Sequence, residues 1–358
     1  MSRLLNTRSI VRIVLSLGLL GFLVWRIDLE QAADALRNAD YLFVLPALAV
    51  FTLAKLLVAR RWRLMMAEFD TVPPLKPLFA ILLVSNLANN IVPARLGDLI
   101  RVQVPAERYG SSRARLAATV FATESLLDGI AMISLALIGL ALVDLHGFPT
   151  GVFWGVLGLV AGALVAIVPL SHLKLTDGWI CRGVLARLPD RAQRSLETAV
   201  PHFIDGLAVF KEMRLAVPAV ALSFAIWTLE AVMFMLFGFA FGINLSFPAW
   251  LLVMVVANMI SSLPIAPSNI GAYEVAVTET LKALGIDAGV AGGFAIAAHI
   301  FNILWITVIG FGAMWWLKLS LADVFGFGKK DEDEPAEEAM TGDGRAAVAV
   351  QTAPRESQ

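Results

Sequence analysis

Arg95, Asp98 and Arg101 follow one another at three-residue spacing, directly after a run without charge from Pro77 to Ala94. Side chains three apart are neighbours on a helix surface. A guanidinium keeps its charge in an apolar site and grips phosphate through two hydrogen bonds, so two arginines around one acid suit the phosphate of a lipid headgroup. A helix starting near Pro93 or Ala94 would add its N-terminal dipole to the same anion site. Asn86, Asn90 and Asp98 itself offer further polar contacts to a headgroup. The plainer role is structural, each arginine pairing with Asp98, but the cationic surplus at membrane depth favours substrate contact.

A second set is acidic. Glu124 and Asp128 lie four residues apart on one helix face, Glu230 is the single charged residue from Leu215 to Tyr273, and Glu274 follows at once. With Asp98 these are five acids against Arg95 and Arg101, an imbalance that low dielectric does not hold fully ionised. Some must be protonated, hydrated or paired with a cationic substrate, which suits them to gating or coupling. Glu230 has the longest uncharged surroundings and is the best candidate for a proton-coupled step; burial against hydroxyl or backbone partners, for fold specificity, is the alternative. His299 reads as a packed polar residue of the last span.

Other chemistries find little support. The four histidines have no ligand-like spacing, and Cys181 is alone, which excludes an internal disulfide and a cysteine metal cluster. There is no nucleophile with an adjacent histidine and no nucleotide loop, so neither a cofactor nor enzymatic activity is expected.

The elements that must position these residues follow from composition. Of 358 residues 58% are hydrophobic and 16% charged, with a mean hydropathy of +0.77, against roughly 25% charged in a soluble domain. This is an all-α polytopic membrane protein, and no nucleic-acid partner is expected. Arg3, Arg8 and Arg12 precede a first span, Ile13 to Trp25, and place its start inside. A cleaved signal peptide is the rival reading, with Ala33-Asp34-Ala35 as the site, although charged residues separate it from the apolar run. Residues 26 to 40 suit the outer side. Tyr41 to Ala59 returns to the basic block Arg60, Arg61, Arg63. Leu116 to Val143 and Val152 to Leu170 form two further spans, residues 171 to 214 an amphipathic inner loop. Two more spans begin at Leu215 and within Ala288 to Leu317, and Lys318 places the last end inside.

Two segments do not read as plain spans. Pro77 to Ala94 is long enough to cross, yet both flanks are basic and belong on one side. It also carries Asn86, Asn89, Asn90 and Pro93, so it is expected to re-enter or break, with its backbone buried in protein or lining a wet cavity. Trp250 to Leu284, entered from the other side after a turn at Gly242 to Pro248, is interrupted by Pro264 and Pro267. Pro93 and Gly97 before Asp98 echo Pro267 and Gly271 before Glu274. The echo is either coincidence or the mark of inverted repeats, about 10–170 and 171–317, with a transport site between broken helices.

In order, Pro93-Ala-Arg-Leu-Gly-Asp-x-x-Arg101, Glu124 with Asp128, Trp227 with Glu230, and Leu263-Pro-x-x-Pro-x-x-x-Gly-x-x-Glu274 resemble the lysylphosphatidylglycerol synthase transmembrane, or flippase-like, family of bacterial and archaeal membrane proteins. The likeness covers about residues 10 to 317. It implies an inner-membrane protein of the fold that moves lipids with modified headgroups between leaflets. It does not imply a synthase, because that chemistry belongs to an additional soluble domain for which this chain has no room. The family commonly shows Pro-Gly-Gly-x-Gly where this chain has Pro267-Ser-Asn-Ile-Gly271.

The resulting expectation is six full spans plus two broken elements over 1–319 and a disordered acidic tail over 320–358, with both termini cytoplasmic. The function expected is transport of an anionic lipid or lipid-linked carrier. An intramembrane headgroup-modifying enzyme and a non-transporting accessory that recruits a protein partner through the tail are the alternatives; a homo-oligomer is compatible with either.

Overall fold

The computed structural model describes residues 29–67, 69–91, 97–143, 212–262 and 267–320, with isolated positions from 151 to 162. All regular structure among them is helical. The expected spans Ile13 to Trp25 and Val152 to Leu170, the loop 171–211 and the tail from 321 lie outside the described residues, as do Pro93, Arg95 and Pro264.

Helix α1, Leu29–Asn38, is amphipathic and packs on the last span. A 3-10 turn, Tyr41–Phe43, capped by the Asp40 carboxylate, leads into α2, Val44–Met65. Then come α3, Leu75–Ile91, and α4, Ile100–Tyr109. One continuous helical rod follows: α5, Arg113–Ala117, a π-helical turn, Ala118–Thr123, and α6, Glu124–Leu142. The second part holds α7, Met213–Ala240, α8, Phe247–Ser262, α9, Ala272–Ala283, and α10, Ala288–Trp316.

Among the described residues four helical stretches are long and apolar enough to cross a membrane: Tyr41–Met65, Arg113–Leu142, Met213–Ala240 and Ala288–Trp316. The first outruns the expected Tyr41 to Ala59 by more than a turn. Continuous apolar and straight-chain residues carry the helix through Arg60, Arg61 and Arg63, with no Gly or Pro to stop it.

The two broken elements are hairpins. Helix α3 has 17 residues and α8 has 16, about 25 Å each at 1.5 Å per residue, short of the roughly 30 Å hydrocarbon core. After α3 the chain folds back: Ser111 Oγ, beyond α4, donates to the Thr71 carbonyl, ahead of α3, at 3.2 Å. Entry and exit of this hairpin therefore lie at the same end of the molecule. Gly97 is required at the bend, since a Cβ there would sit 2.2 Å from the Ser85 carbonyl oxygen. At the other bend Asn269 Nδ2 donates to the Ser261 carbonyl at 2.9 Å, and the backbone passes through positive φ at Ser268, Asn269 and Gly271.

Each hairpin centres its own apolar core. One core gathers α8 and α9 with Phe51, Phe237 and Phe294; the other gathers α3 and α4 with Trp62, Leu116 and Leu127. The spans are exchanged between them. Gly310 of α10 lets that helix close on Leu87 of α3, and Gly139 of α6 does the same against Leu252 of α8; an added Cβ would lie 2.7 Å from either leucine.

A spacing of 175 residues relates the two parts. It carries the end of α2 at Met65 to the end of α7 at Ala240, and Arg113 at the start of α5 to Ala288 at the start of α10. It also carries Gly110 to Gly285, both at positive φ after a hairpin's second helix. Helices α2 and α7 run antiparallel, for Asp40 N donates to the Ala240 carbonyl at one end while Arg61 Nη1 meets Ser223 Oγ at the other.

Candidate functional site

Between the two cores lies a polar layer built from α2, α4, α6, α7, α9 and α10. Its anchor is Arg61, 1% exposed. The Arg61 guanidinium binds both Asp128 oxygens, donates to Glu124 Oε1 at 2.9 Å and reaches Ser223 Oγ at 2.6 Å. Trp227 Nε1 donates to Asp128 Oδ1 at 2.9 Å. The i, i+4 spacing of Glu124 and Asp128 thus makes a two-carboxylate cradle for one arginine. Immediately before it the rod passes through its π turn, a wider local geometry that recurs at functional sites.

Arg101, the second of the two candidate phosphate ligands, comes to the same cradle from the other face. Its Nη2 lies 2.6 Å from Glu124 Oε2, and its guanidinium stacks on the Trp62 ring at 4.7 Å. The Arg101 Nε is buried without a partner, and Nη2 is held by Glu124 alone. That pair of donors is the side-on fork with which a guanidinium grips two oxygens of a phosphate or carboxylate. Glu124 therefore faces two arginines, each with a buried Nε that has no partner: Arg61 is otherwise held by Asp128, Glu124 and Ser223, and Arg101 by Glu124 alone.

Glu230 does not stand alone. Lys55 Nζ donates to its Oε1 at 2.7 Å and Asn258 Nδ2 to its Oε2 at 3.2 Å. The expectation of an isolated carboxylate fails because its partner sits on α2, far off in sequence. Glu274 is likewise held. One oxygen accepts the Gly271 N–H at 2.6 Å, at the start of α9, and the other meets His299 Nδ1 at 2.7 Å. Tyr273 stacks on the imidazole with centroids 4.1 Å apart, and all three side chains are buried.

The hairpin bends complete the layer. Asp98 Oδ1 accepts from Asn89 Nδ2 at 3.1 Å and lies 3.4 Å from Ser85 Oγ, which turns this acid towards α3 and leaves Arg101 to Glu124. Asn86 and Asn90 stand half-buried on α3, one turn apart. The two bends touch: Ser268 Oγ donates to the Asn90 carbonyl at 2.8 Å. The residues that sequence reasoning missed are Lys55 and Arg61, which resemble ordinary markers of the inner side. What could have found them is helix phase: Phe51, Ala54, Arg61 and Met65 share one α2 face, and Lys55 borders it.

Among the described residues no group of three or more His, Cys, Asp or Glu side chains could hold a metal ion. The layer can hold an anion against a buried guanidinium and share a proton across a carboxylate–imidazole pair.

Comparison with known proteins gives a family model, the lysylphosphatidylglycerol synthase TM region, that matches residues 9–310. A UPF0104 membrane protein of Methanothermobacter thermautotrophicus is 24% identical over 324 residues, 86% of this chain and 95% of that one. A UPF0104 membrane protein of Methanocaldococcus jannaschii is 25% identical over 226 residues, covering 63% of this chain and 91% of its own. Glycosyltransferase AglD of Haloferax volcanii is 27% identical over 340 residues, 86% of this chain but 54% of the relative. No solved structure matches.

Proposed function

The chain belongs to the lysylphosphatidylglycerol synthase transmembrane family, and on that premise we propose that it moves an anionic lipid or a lipid-linked carrier between the leaflets of the inner membrane without altering it chemically. The observation that carries this reading is the meeting of two broken membrane hairpins, at Ser268 and Asn90, beside a buried arginine whose Nε has no partner and whose Nη2 is held only by Glu124. Interrupted backbone at membrane depth is tolerated where it lines a protein cavity, and paired interruptions in two repeats mark transport sites. A phosphate docking on Arg101 displaces Glu124, and that carboxylate keeps Arg61; no buried charge is stranded by the exchange. The two halves act as inverted repeats around the Lys55–Glu230 pair.

Exposed Arg60, Arg63, Lys76, Arg108 and Arg113 gather at the end of the molecule where the first hairpin enters and leaves, which supports a cytoplasmic position for that end. The relative named a glycosyltransferase favours a lipid-linked sugar among the anionic substrates. It also keeps a second reading in view, action on a lipid headgroup with Asp98, Glu124 or Asp128 as base. Purified protein in vesicles with labelled phospholipid and polyprenyl-phosphate separates the two: leaflet exchange with the lipid recovered at unchanged mass supports transport, and recovery of an altered headgroup supports the enzyme.

A further inference from the structure

The halves carry matched buried pairs of opposite polarity. In the first, Arg101 at the start of α4 faces Glu124 of the following span; in the second, Glu274 at the start of α9 faces His299 of the following span. The 175-residue spacing takes position 124 to 299, and takes position 101 to within a turn of 274. The first pair is always neutral as a unit, because an arginine does not give up its proton. The second is an anion until a proton arrives.

We propose that the Glu274–His299 pair is a proton-binding site that couples lipid movement to protons. The inference rests on the transport reading above for its purpose, though not for its chemistry. With Nδ1–H donating to Glu274, the proton is taken up at Nε2 of the imidazole, and the pair passes from net negative to net neutral. Loading thereby gives the second pair the same charge as the first. A buried carboxylate held only by neutral donors is costly, so the loaded pair is the better suited to a site shut off from water. Glu274 transmits the change directly, since its other oxygen holds the Gly271 N–H at the bend itself.

The surrounding ionisable groups leave this role to His299. Tyr273 stacks on the ring, and on α7 Glu230 is already held by Lys55. On α9 Glu279 and Lys282 pair with each other, and on α1 Asp34 and Arg37 pair at the exposed surface beside Glu30. Helix α3 has only Lys76, at its exposed first turn, and α8 has no charged residue.

Two measurements on the full chain test the site. Imidazole NMR of histidine-labelled protein in nanodiscs should show one resonance, identified by its loss in His299→Gln, whose position changes with pH and shifts in Glu274→Gln. A ring whose resonance does not change with pH overturns the proposal. In vesicles, a pH gradient should change the exchange rate of a labelled anionic lipid by about fivefold or more, a modest coupling free energy, and the ratio should fall to one in His299→Gln whatever the absolute rate. An unchanged ratio in the variant also overturns it. Absence of exchange from wild-type vesicles under every gradient overturns the transport reading instead, and the NMR titration then decides the proton site alone.

Discussion

Lys55 and Glu230 bind each other at 2.7 Å, 175 positions apart, on helices that the same 175-residue spacing relates to one another. A residue can meet its own counterpart on an antiparallel partner helix only where the relating axis crosses the pair. On the inverted-repeat reading proposed above, the contact lies on that axis and the other charged groups lie off it. Arg61 lies nearly two turns towards the basic end, where its counterpart position holds Leu236. The buried charges are thus unevenly shared between the two parts.

The central pair is expected to tolerate reversal better than loss. Removing one partner of a buried ion pair costs about 3–5 kcal/mol, and the partial exposure of Lys55 puts Lys55→Met and Glu230→Gln at the lower end. Lys55→Glu combined with Glu230→Lys should recover most of the loss in thermal unfolding of detergent-solubilised protein. A reversed pair no more stable than either single variant contradicts the placement on the axis.

The two arginines around Glu124 should separate into a structural and a binding role. Arg61→Leu leaves Asp128 without a cation and Glu124 with Arg101 alone, and is expected to lower stability by about 3 kcal/mol or more. Arg101→Lys should leave the unfolding temperature nearly unchanged, because Arg61 still holds the cradle, while weakening retention of a phosphate-bearing lipid by about tenfold through loss of the side-on fork. Native mass spectrometry of lipid retained on each variant, beside a melting curve, reads both effects.

Sidedness of the first hairpin is directly measurable. Cysteines at Lys76 and Arg108 should react with an impermeant thiol reagent from one side of the membrane, and a cysteine at Asp287 from the other. Labelling of Lys76→Cys and Arg108→Cys from opposite sides would make α3 a full crossing and remove the hairpin.

Much of this scaffold could be read in the sequence. Hydropathy marked the spans, and Pro267, Gly271 and the basic flanks of Pro77 to Ala94 marked the bends, because chain breaks and charge asymmetry are local signals. The pairing was not legible. Arg61 and Lys55 are the residue types that mark the inner side, so nothing local distinguishes a buried lysine or arginine from a topological one. Glu230 looked isolated because its partner is on another span. Helix α1 was read only as outer charge, since ten residues with Glu30, Asp34 and Arg37 on one face give little hydropathy signal. The family's Gly-Gly before the last bend glycine did hold a clue, for Ser268 and Asn269 occupy those places at φ of 48° and 53°.

That left-handed backbone yields a contrast with Gly97. Ser268→Gly relieves the strain by about 1 kcal/mol and gives back part of it through the lost bond to the Asn90 carbonyl, so stability should change by less than about 1 kcal/mol. Gly97→Ala forces a methyl against the Ser85 carbonyl and should cost about 1–3 kcal/mol. Denaturant titrations that ranked the two in reverse order would contradict the packing of the first bend.

On the proposed function, a phosphate-bearing lipid crosses the membrane by way of Arg101. The most direct measurement is the rate at which a headgroup-labelled anionic lipid in the inner leaflet of sealed vesicles becomes accessible to an impermeant quencher. Wild-type protein should raise that rate at least about tenfold over empty vesicles, and Arg101→Ala should return it close to the empty-vesicle value, a barrier change of about 1.4 kcal/mol or more. Wild-type vesicles that exchange lipid no faster than empty ones, or Arg101→Ala vesicles that match the wild type, would contradict the account.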